Sequence, residues 1–312
     1  MNKFLITGGA GFIGSHLCEK IFATFPKSQI VIVDKLTYAS NINYLTKILK
    51  SKRVKFIKSD ILDEKNYISN LKNVDIAINV AAESHVDNSF KNSLTFTKTN
   101  TLGAQVFLMS CLKMKVKKII HVSTDEVYGE KIYGRSKETD ALNPTNPYSA
   151  SKAAAEMIMN AFARFNKNKI LIVRSNNIYG IRQYPEKLIP VIITSLLNNK
   201  KIPIHGTGKY VRCFLSAHDF CNAVILLLKK NKSGIFNIGN EKSYTNLKIV
   251  KMISKIFNID YKKQIFFVKN RLFNDRKYNL NINKIKNLGW EPRNNIENDL
   301  PVIIEWYKKN YF

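Results

Sequence analysis

The chain has 312 residues, room for one large domain or two modest ones, and its 50 Lys and Arg against 23 Asp and Glu give a formal charge of +27. With 45% hydrophobic residues and only 13 Gly and 8 Pro, the disordered, collagen-like and low-complexity classes are excluded. Apolar runs such as Ala223 to Leu228 fall far short of the roughly 18 residues that cross a bilayer, and Met1-Asn2-Lys3 leads straight into a fold segment, so a cytoplasmic protein without signal peptide or membrane span is expected. In chain order, residues 3–7, 29–33, 54–58, 74–80 and 118–123 read as strands alternating with helical stretches. Further strands are expected at 169–174 and 234–238, and helices at 147–165, 188–198 and 217–229. Such alternation implies an α/β fold, a Rossmann-like doubly wound parallel sheet with helices on both faces. After about Tyr179 short strands, loops and helices mix. Residues 1–179 are therefore assigned to the domain built on the parallel sheet, with segments of about 211–240 returning to it, and 180–312 mainly to a smaller, interleaved C-terminal domain.

Lysine supplies 41 of the 50 basic residues, in scattered pairs such as Lys117-Lys118 and Lys229-Lys230 rather than clustered with aromatics on one element. No dedicated nucleic-acid role is expected from that pattern, whereas attraction to a phosphorylated small molecule is. Cys18, Cys111, Cys213 and Cys221 form no C-x-x-C pair and no His cluster has metal-ligand spacing, so reduced thiols and no metal are expected.

Gly8, Gly11 and Gly14 lie between the first strand and a helical pattern. That spacing lets the backbone turn tightly, approach a pyrophosphate and aim a helix N-terminus at its charge. Asp34 closes the second strand 20 residues beyond Gly14, where a carboxylate can bond an adenosine ribose and repel a 2′-phosphate, which favours NAD over NADP. Lys35 beside it leaves that preference open, as does the plainer reading of a glycine-rich turn with a solvated Asp. Tyr148 and Lys152, at i and i+4 after Pro147, share one helix face, and a nearby ammonium together with a positive nicotinamide ring favours a phenolate able to act as a base. Taken alone, that pattern is common on ordinary helices. Ser123-Thr124-Asp125-Glu126 ends a strand at the carboxyl edge of the sheet, where ligands bind, although its two carboxylates are also compatible with a helix N-cap pair.

With Asp34-Lys35-Leu36-Thr37-Tyr38-Ala39, Ala81-Ala82-Glu83-Ser84-His85-Val86-Asp87, Ser123-Thr124-Asp125-Glu126-Val127-Tyr128-Gly129 and Pro185-Glu186-Lys187-Leu188-Ile189-Pro190, the chain resembles the extended short-chain dehydrogenases/reductases, and most of all their nucleotide-sugar 4,6-dehydratases of the dTDP-glucose type, over nearly its whole length. The resemblance implies that Tyr148, helped by Thr124 and Lys152, takes the proton of the sugar C4 hydroxyl while NAD accepts the C4 hydride. Glu126 then removes the C5 proton, Asp125 protonates the departing C6 hydroxyl, and the hydride returns to C6. It also implies cofactor contacts at Gly8, Gly11, Phe12, Ile13, Gly14, Asp34, Lys35, Asp60, Ile61, Ala81, Ala82, Asn100, Tyr148, Lys152 and Asn176. Substrate contacts are implied at Ser84, His85, Asn177, Lys187, Leu188, Pro203, His205, Arg212, Arg271 and Asn274, with the two arginines on the diphosphate, and a homodimer through helices about 100–112 and 149–165.

The sequence departs from the family pattern in the substrate half. Arg212 is followed by Cys213-Phe214 in place of Asp-Trp, Arg271-Leu272-Phe273-Asn274 stands for Arg-Pro-Gly-His, and His205 replaces a Tyr. UDP- and dTDP-hexoses are therefore equally expected as substrates, with a 2-acetamido sugar such as UDP-N-acetylglucosamine conceivable. A nucleotide-sugar 4-epimerase, which would not need Asp125-Glu126, and a non-enzymatic dinucleotide- or nucleic-acid-binding protein are the competing readings.

Overall fold

The computed structural model describes residues 2–165, 169–270 and 275–311. In chain order its strands are β1 (Lys3–Thr7), β2 (Gln29–Asp34), β3 (Val54–Lys58), β4 (Ile76–Asn79), β5 (Lys118–Thr124), β6 (Lys169–Ser175), β7 (Asn177–Tyr179), β8 (Ile202–His205), β9 (Val211–Ser216), β10 (Gly234–Ile238), β11 (Ser243–Thr245) and β12 (Ile265–Val268). Seven of them form one parallel sheet in the order β10-β6-β5-β4-β1-β2-β3. The chain builds outward from β1 to β3, then restarts at β4 on the other side of β1. That reversal opens a crevice at the carboxyl ends of β1 and β4, the place where open α/β sheets bind ligands.

Alternation along each strand explains the two cores. Phe4, Ile6, Ile30 and Ile32 point to one face, against Leu17 and Ile21 of helix Phe12–Thr24 and Phe220 and Val224 of helix Ala217–Lys229. Leu5, Val31 and Val33 point to the other, against Phe107 and Cys111 of helix Gly103–Lys113 and Met159 of helix Pro147–Phe165. Strand β5 is buried at all seven positions, as a central parallel strand must be. A third core joins Ile189, Ile193, Ile249, Ile253, Ile303 and Tyr307, from helices Leu188–Leu197, Asn246–Ile256 and Ile296–Tyr311. A three-stranded sheet β11-β9-β7 and a β12-β8 pair complete the second half.

The expected 74–80 strand is shorter, because Val74 N–H closes a turn onto Leu71 O before β4 begins. Of the segments expected to return to the large sheet, residues 217–238 supply a packing helix and β10, whereas β9 pairs with β7 and β11. Arg174 of β6 and Glu156 of helix Pro147–Phe165, 2% and 0% exposed, form an ion pair at 2.6 Å, and Arg174 also donates to Tyr128 Oη at 2.6 Å.

Candidate active site

A cavity of about 540 Å³ runs from the glycine loop across the carboxyl ends of the sheet strands to the second half of the chain. At its first end Gly8 has φ +70°, and a Cβ there would lie 2.6 Å from the backbone of Ala81. A Cβ on Gly14 would lie 2.0 Å from Gly8 O, so both positions need glycine for close backbone approach. Helix Phe12–Thr24 begins at Gly11 with no side-chain cap, which leaves its first N–H groups pointing towards the cavity as anion donors. Asp34 is fixed by two backbone donors, Ala10 N to Oδ2 at 2.9 Å and Leu36 N to Oδ1 at 2.8 Å. Lys35 beside it is taken up by its own partner: its Nζ pairs with Asp60 Oδ2 at 2.7 Å. Phe12, Ile13, Ile61, Ala81 and Ala82 complete this wall, so the residues fit a dinucleotide with an unphosphorylated ribose. Asn100 does not reach the wall. It lies in a π-helical turn, Thr97–Leu102, and its amide is used internally, on Glu83 N, Glu83 O and Ser151 Oγ, each at 2.9 Å.

At the middle of the cavity β5 runs into a 3₁₀ turn, Asp125–Tyr128, capped by Thr124 Oγ1, which accepts from Glu126 N at 3.3 Å. Helix Pro147–Phe165 faces it, started by Asn146, whose Oδ1 accepts from Ser149 N at 2.9 Å. Thr124, Glu126, Tyr148 and Lys152 all line the cavity. Asp125 lies just behind the wall, 3% exposed, with Oδ1 3.4 Å from Thr124 Oγ1 and Oδ2 accepting from Asn176 Nδ2 at 2.9 Å. Burial pushes Asp125 up to about 7, with Glu126 adding to the rise and the Asn176 bond and Arg212 opposing it. Burial also raises Glu126, against the Asn146 hydrogen bond, Arg212 and Lys187. Both carboxyls thus titrate closer to neutrality than ordinary surface acids, which suits proton transfer and is more than a helix cap requires.

The expected lowering of Tyr148 by Lys152 is not what the protein's own groups produce. Burial pushes the Tyr148 phenol well above its ordinary value, Glu126 and Asp125 push the same way, and only a hydrogen bond with Thr124 opposes them. Lys152 is engaged elsewhere: Nζ donates to Val122 O at 2.6 Å and stands 3.5 Å from His121 Nε2. Burial brings Lys152 down to about 8, with Glu156 resisting.

At the far end Ser84, His85, Asn177, Lys187, Leu188, Pro203, His205 and Arg212 line the cavity, as does Asn176. Lys187 Nζ donates to Ser84 O at 2.6 Å, tying the loop after β4 to helix Leu188–Leu197. The Arg212 guanidinium lies 4.8 Å from the centre of the Tyr278 ring. Arg271 and Asn274 fall outside the described residues. Sequence reasoning missed Glu83, Asn146, Asp275 and Tyr278, all on the cavity wall. Asp275 accepts from Thr145 Oγ1 at 2.7 Å and from the Tyr278 hydroxyl. Asn146 was findable as an Asn directly before a Pro that starts a helix. Among the described residues no group of His, Cys, Asp and Glu could hold a metal ion, and no helix is long and apolar enough to cross a membrane.

Comparison with known proteins places this geometry. The family model for GDP-mannose 4,6 dehydratase matches residues 5–300. A dTDP-D-glucose 4,6-dehydratase of Dictyostelium discoideum is 43% identical over 99% of this chain and 82% of its own length. A trifunctional UDP-glucose 4,6-dehydratase, 3,5-epimerase and reductase of Arabidopsis thaliana is also 43% identical over 99% of this chain, but over 47% of its own length. The crystal structure of a dTDP-glucose 4,6-dehydratase from Streptomyces venezuelae with NAD and TYD bound superposes with a TM-score of 0.96 at 35% identity, covering 99% of this chain and 97% of that one. The chain belongs to the GDP-mannose 4,6 dehydratase family, as a nucleotide-sugar 4,6-dehydratase of the extended short-chain dehydrogenase/reductase type.

Proposed function

We propose that the protein is an NAD-dependent 4,6-dehydratase acting on dTDP- or UDP-glucose and giving the 4-keto-6-deoxy sugar. The observation that carries this is the convergence on one cavity of a phenol, a buried carboxyl with a second directly behind the wall, and a dinucleotide loop. The relatives named above divide between dTDP-glucose and UDP-glucose, so both nucleotides remain within the proposal. NAD supplies reversible storage of one hydride, taken from C4 and returned to C6.

The chain's own residues do the proton work. Tyr148 takes the proton of the C4 hydroxyl, aided by the Thr124 hydroxyl beside it. The resulting ketone acidifies C5, and Glu126, on the cavity wall, removes that proton. Asp125, part protonated near neutrality, gives its proton towards the C6 hydroxyl, which leaves as water. Arg212 and Lys187 suit the diphosphate because they bring positive charge to the far end of the same cavity. Gly8 to Gly14, Asp34 and the wall after β4 hold the cofactor, and residues 1–179 with the later returning helix and strand form its domain, the remainder of 180–312 holding the nucleotide sugar. A 4-epimerase would leave the acid and base without a task.

A homodimer and a cytoplasmic setting belong to the same proposal. Exposed Leu102, Met109, Met157 and Phe165 give the segments around 100–112 and 149–165 apolar surface for a second copy.

The test is incubation in heavy water with dTDP-glucose, UDP-glucose and UDP-N-acetylglucosamine separately, followed by mass spectrometry and proton NMR. Loss of one water with deuterium at C5 is expected for at least one of the first two. Glu126→Gln should oxidise C4 and stop before water loss, and normal product from that variant removes Glu126 as the C5 base. Three unchanged sugars with NAD demonstrably bound would overturn the proposal.

A further inference from the structure

Two buried asparagines meet the two carboxyls in the same way. Asn146 accepts from Ser149 N with Oδ1 at 2.9 Å and donates from Nδ2 to Glu126 Oε2 at 3.2 Å. Asn176, between β6 and β7, accepts from Asn240 N with Oδ1 at 2.8 Å and donates from Nδ2 to Asp125 Oδ2 at 2.9 Å. Gly239 makes room for the second arrangement, since a Cβ there would lie 2.1 Å from Asn176 Oδ1. A backbone N–H can only donate, so each one fixes which end of the amide is oxygen. Each fixed oxygen turns the NH₂ end towards a carboxyl, and each carboxyl has one oxygen held as an acceptor. The other oxygens are Glu126 Oε1 and Asp125 Oδ1; Asp125 Oδ1 accepts a long 3.4 Å hydrogen bond from Thr124 Oγ1 on the cavity wall, a hydroxyl that can reverse to accept when Oδ1 carries the proton.

We infer that Asn146 and Asn176 are positioning residues that assign the working oxygen of each carboxyl, Oε1 of Glu126 and Oδ1 of Asp125. The inference rests on the acid and base roles proposed above. Glu126 takes the C5 proton on Oε1, exchanges it with solvent, and gives a solvent-derived proton back to C5 once hydride has reached C6. Asp125 gives its Oδ1 proton to the C6 hydroxyl as the C6–O bond breaks and water leaves, and the proton lost from the C4 hydroxyl replaces it over the cycle. Without the amides either oxygen could carry the proton, and half of the arrangements would face away from the sugar.

Both amides favour an ionised partner, so their removal has a sign. Asp125 also faces Glu126, Tyr148, Arg212 and Cys213, and Glu126 faces Tyr148, Tyr278, Asp275, Arg212 and Lys187, all of which the variants keep. Asn146→Asp keeps the helix-capping oxygen and loses the donor. Because Glu126 works ionised, the acidic limb of elimination should move up by more than about one pH unit, since a hydrogen bond to a charged group is lost and a second carboxyl is placed against Glu126, with a loss of about 10-fold or more on that limb. Asn176→Asp keeps the acceptor for Asn240 N–H and loses the other donor. Because Asp125 works protonated, here the alkaline limb should move up, and by more than about one unit because a second carboxyl now faces Asp125.

The measurements are deuterium entry at C5 and product formation across pH, each divided by the rate of C4 oxidation read from near-ultraviolet absorbance in a single turnover. Carbon-13 NMR titration of labelled carboxyls gives the same shifts without turnover. Asn146→Ser and Asn176→Ser, which add no charge, guard against misfolding of the first pair and should move the same limbs. Unmoved limbs and wild-type ratios in folded variants overturn the inference, provided Glu126→Gln still blocks elimination. Normal elimination by Glu126→Gln would instead overturn the acid and base roles beneath it.

Discussion

The stability of the protein depends on the buried Glu156–Arg174 pair. Arg174 donates Nε to Glu156 Oε2 at 2.9 Å and Nη2 to the same oxygen at 2.6 Å, and Nη1 to Tyr128 Oη at 2.6 Å, with both charged side chains out of contact with water. Glu156→Gln leaves the guanidinium buried without its countercharge and turns an NH₂ group towards its donors. Breaking such a pair from one side costs about 3–5 kcal/mol. In a chain of this size about 2 °C is lost per kcal/mol, so the melting temperature should fall by about 6–10 °C. The assay is thermal unfolding by circular dichroism at fixed protein and NAD concentrations, since bound cofactor raises apparent stability. Replacing both partners, Glu156→Met with Arg174→Met, removes the stranded charge along with the pair and should recover most of the loss. A single variant within about 1 kcal/mol of wild type, or a double variant as unstable as the single, would refute the reasoning. Glu156 also stands one turn beyond Lys152 and resists the burial that brings that lysine to about 8. The single variant should therefore lower Lys152 further, and C4 oxidation should weaken even where the fold survives.

Two further outcomes concern the cofactor. Gly14→Ala places a methyl 2.0 Å from Gly8 O, a backbone atom that cannot swing away, and this overpacking of about 1–3 kcal/mol should weaken NAD binding by about 5- to 150-fold in a calorimetric titration. Asp60→Asn releases Lys35 from its 2.7 Å partner beside Asp34. On the scale of an exposed ion pair, the ratio of NADP to NAD affinity should rise by less than about 5-fold in competition binding.

The fold was legible because its signals are periodic and local. Buried strands such as Ile30–Val33 and the glycine spacing before helix Phe12–Thr24 specify strand, turn and helix from neighbouring residues alone. The proposed catalytic group was legible for the same reason, since Thr124 to Glu126 and Tyr148 to Lys152 are short segments whose side chains the local backbone aims. What escaped depends on partners distant in sequence. Asn100 reads as a cofactor contact, yet its amide is consumed by Glu83 and by Ser151, 51 residues away. Lys35 carries no sign of Asp60, nor Asp125 of Asn176. The surroundings of Tyr148 likewise depend on a distant partner: the i+4 lysine is visible in the sequence, but the Val122 carbonyl that holds it is not.

That environment leads to a pH argument about when the base is ready. A buried phenol beside Glu126 and Asp125 has its folded value raised, so in the protein without cofactor it keeps its proton through the neutral range. Lys152, brought to about 8 and bonded to Val122 O, does not offset two carboxyls. A positive charge brought beside the phenol works in the opposite direction, and the nicotinamide ring of NAD carries one. Tyr148 should therefore ionise at a distinctly lower pH with NAD bound than without it. The ultraviolet tyrosinate signal of the wild type minus that of Tyr148→Phe, titrated with and without NAD, isolates this one residue from the 14 tyrosines of the chain. If Tyr148 ionised equally in both titrations, or near neutrality without NAD, burial and the carboxyl pair would not govern it. If the difference is found, loading of NAD is what arms the base, and C4 oxidation cannot begin on a sugar bound to a site without the acceptor for its hydride.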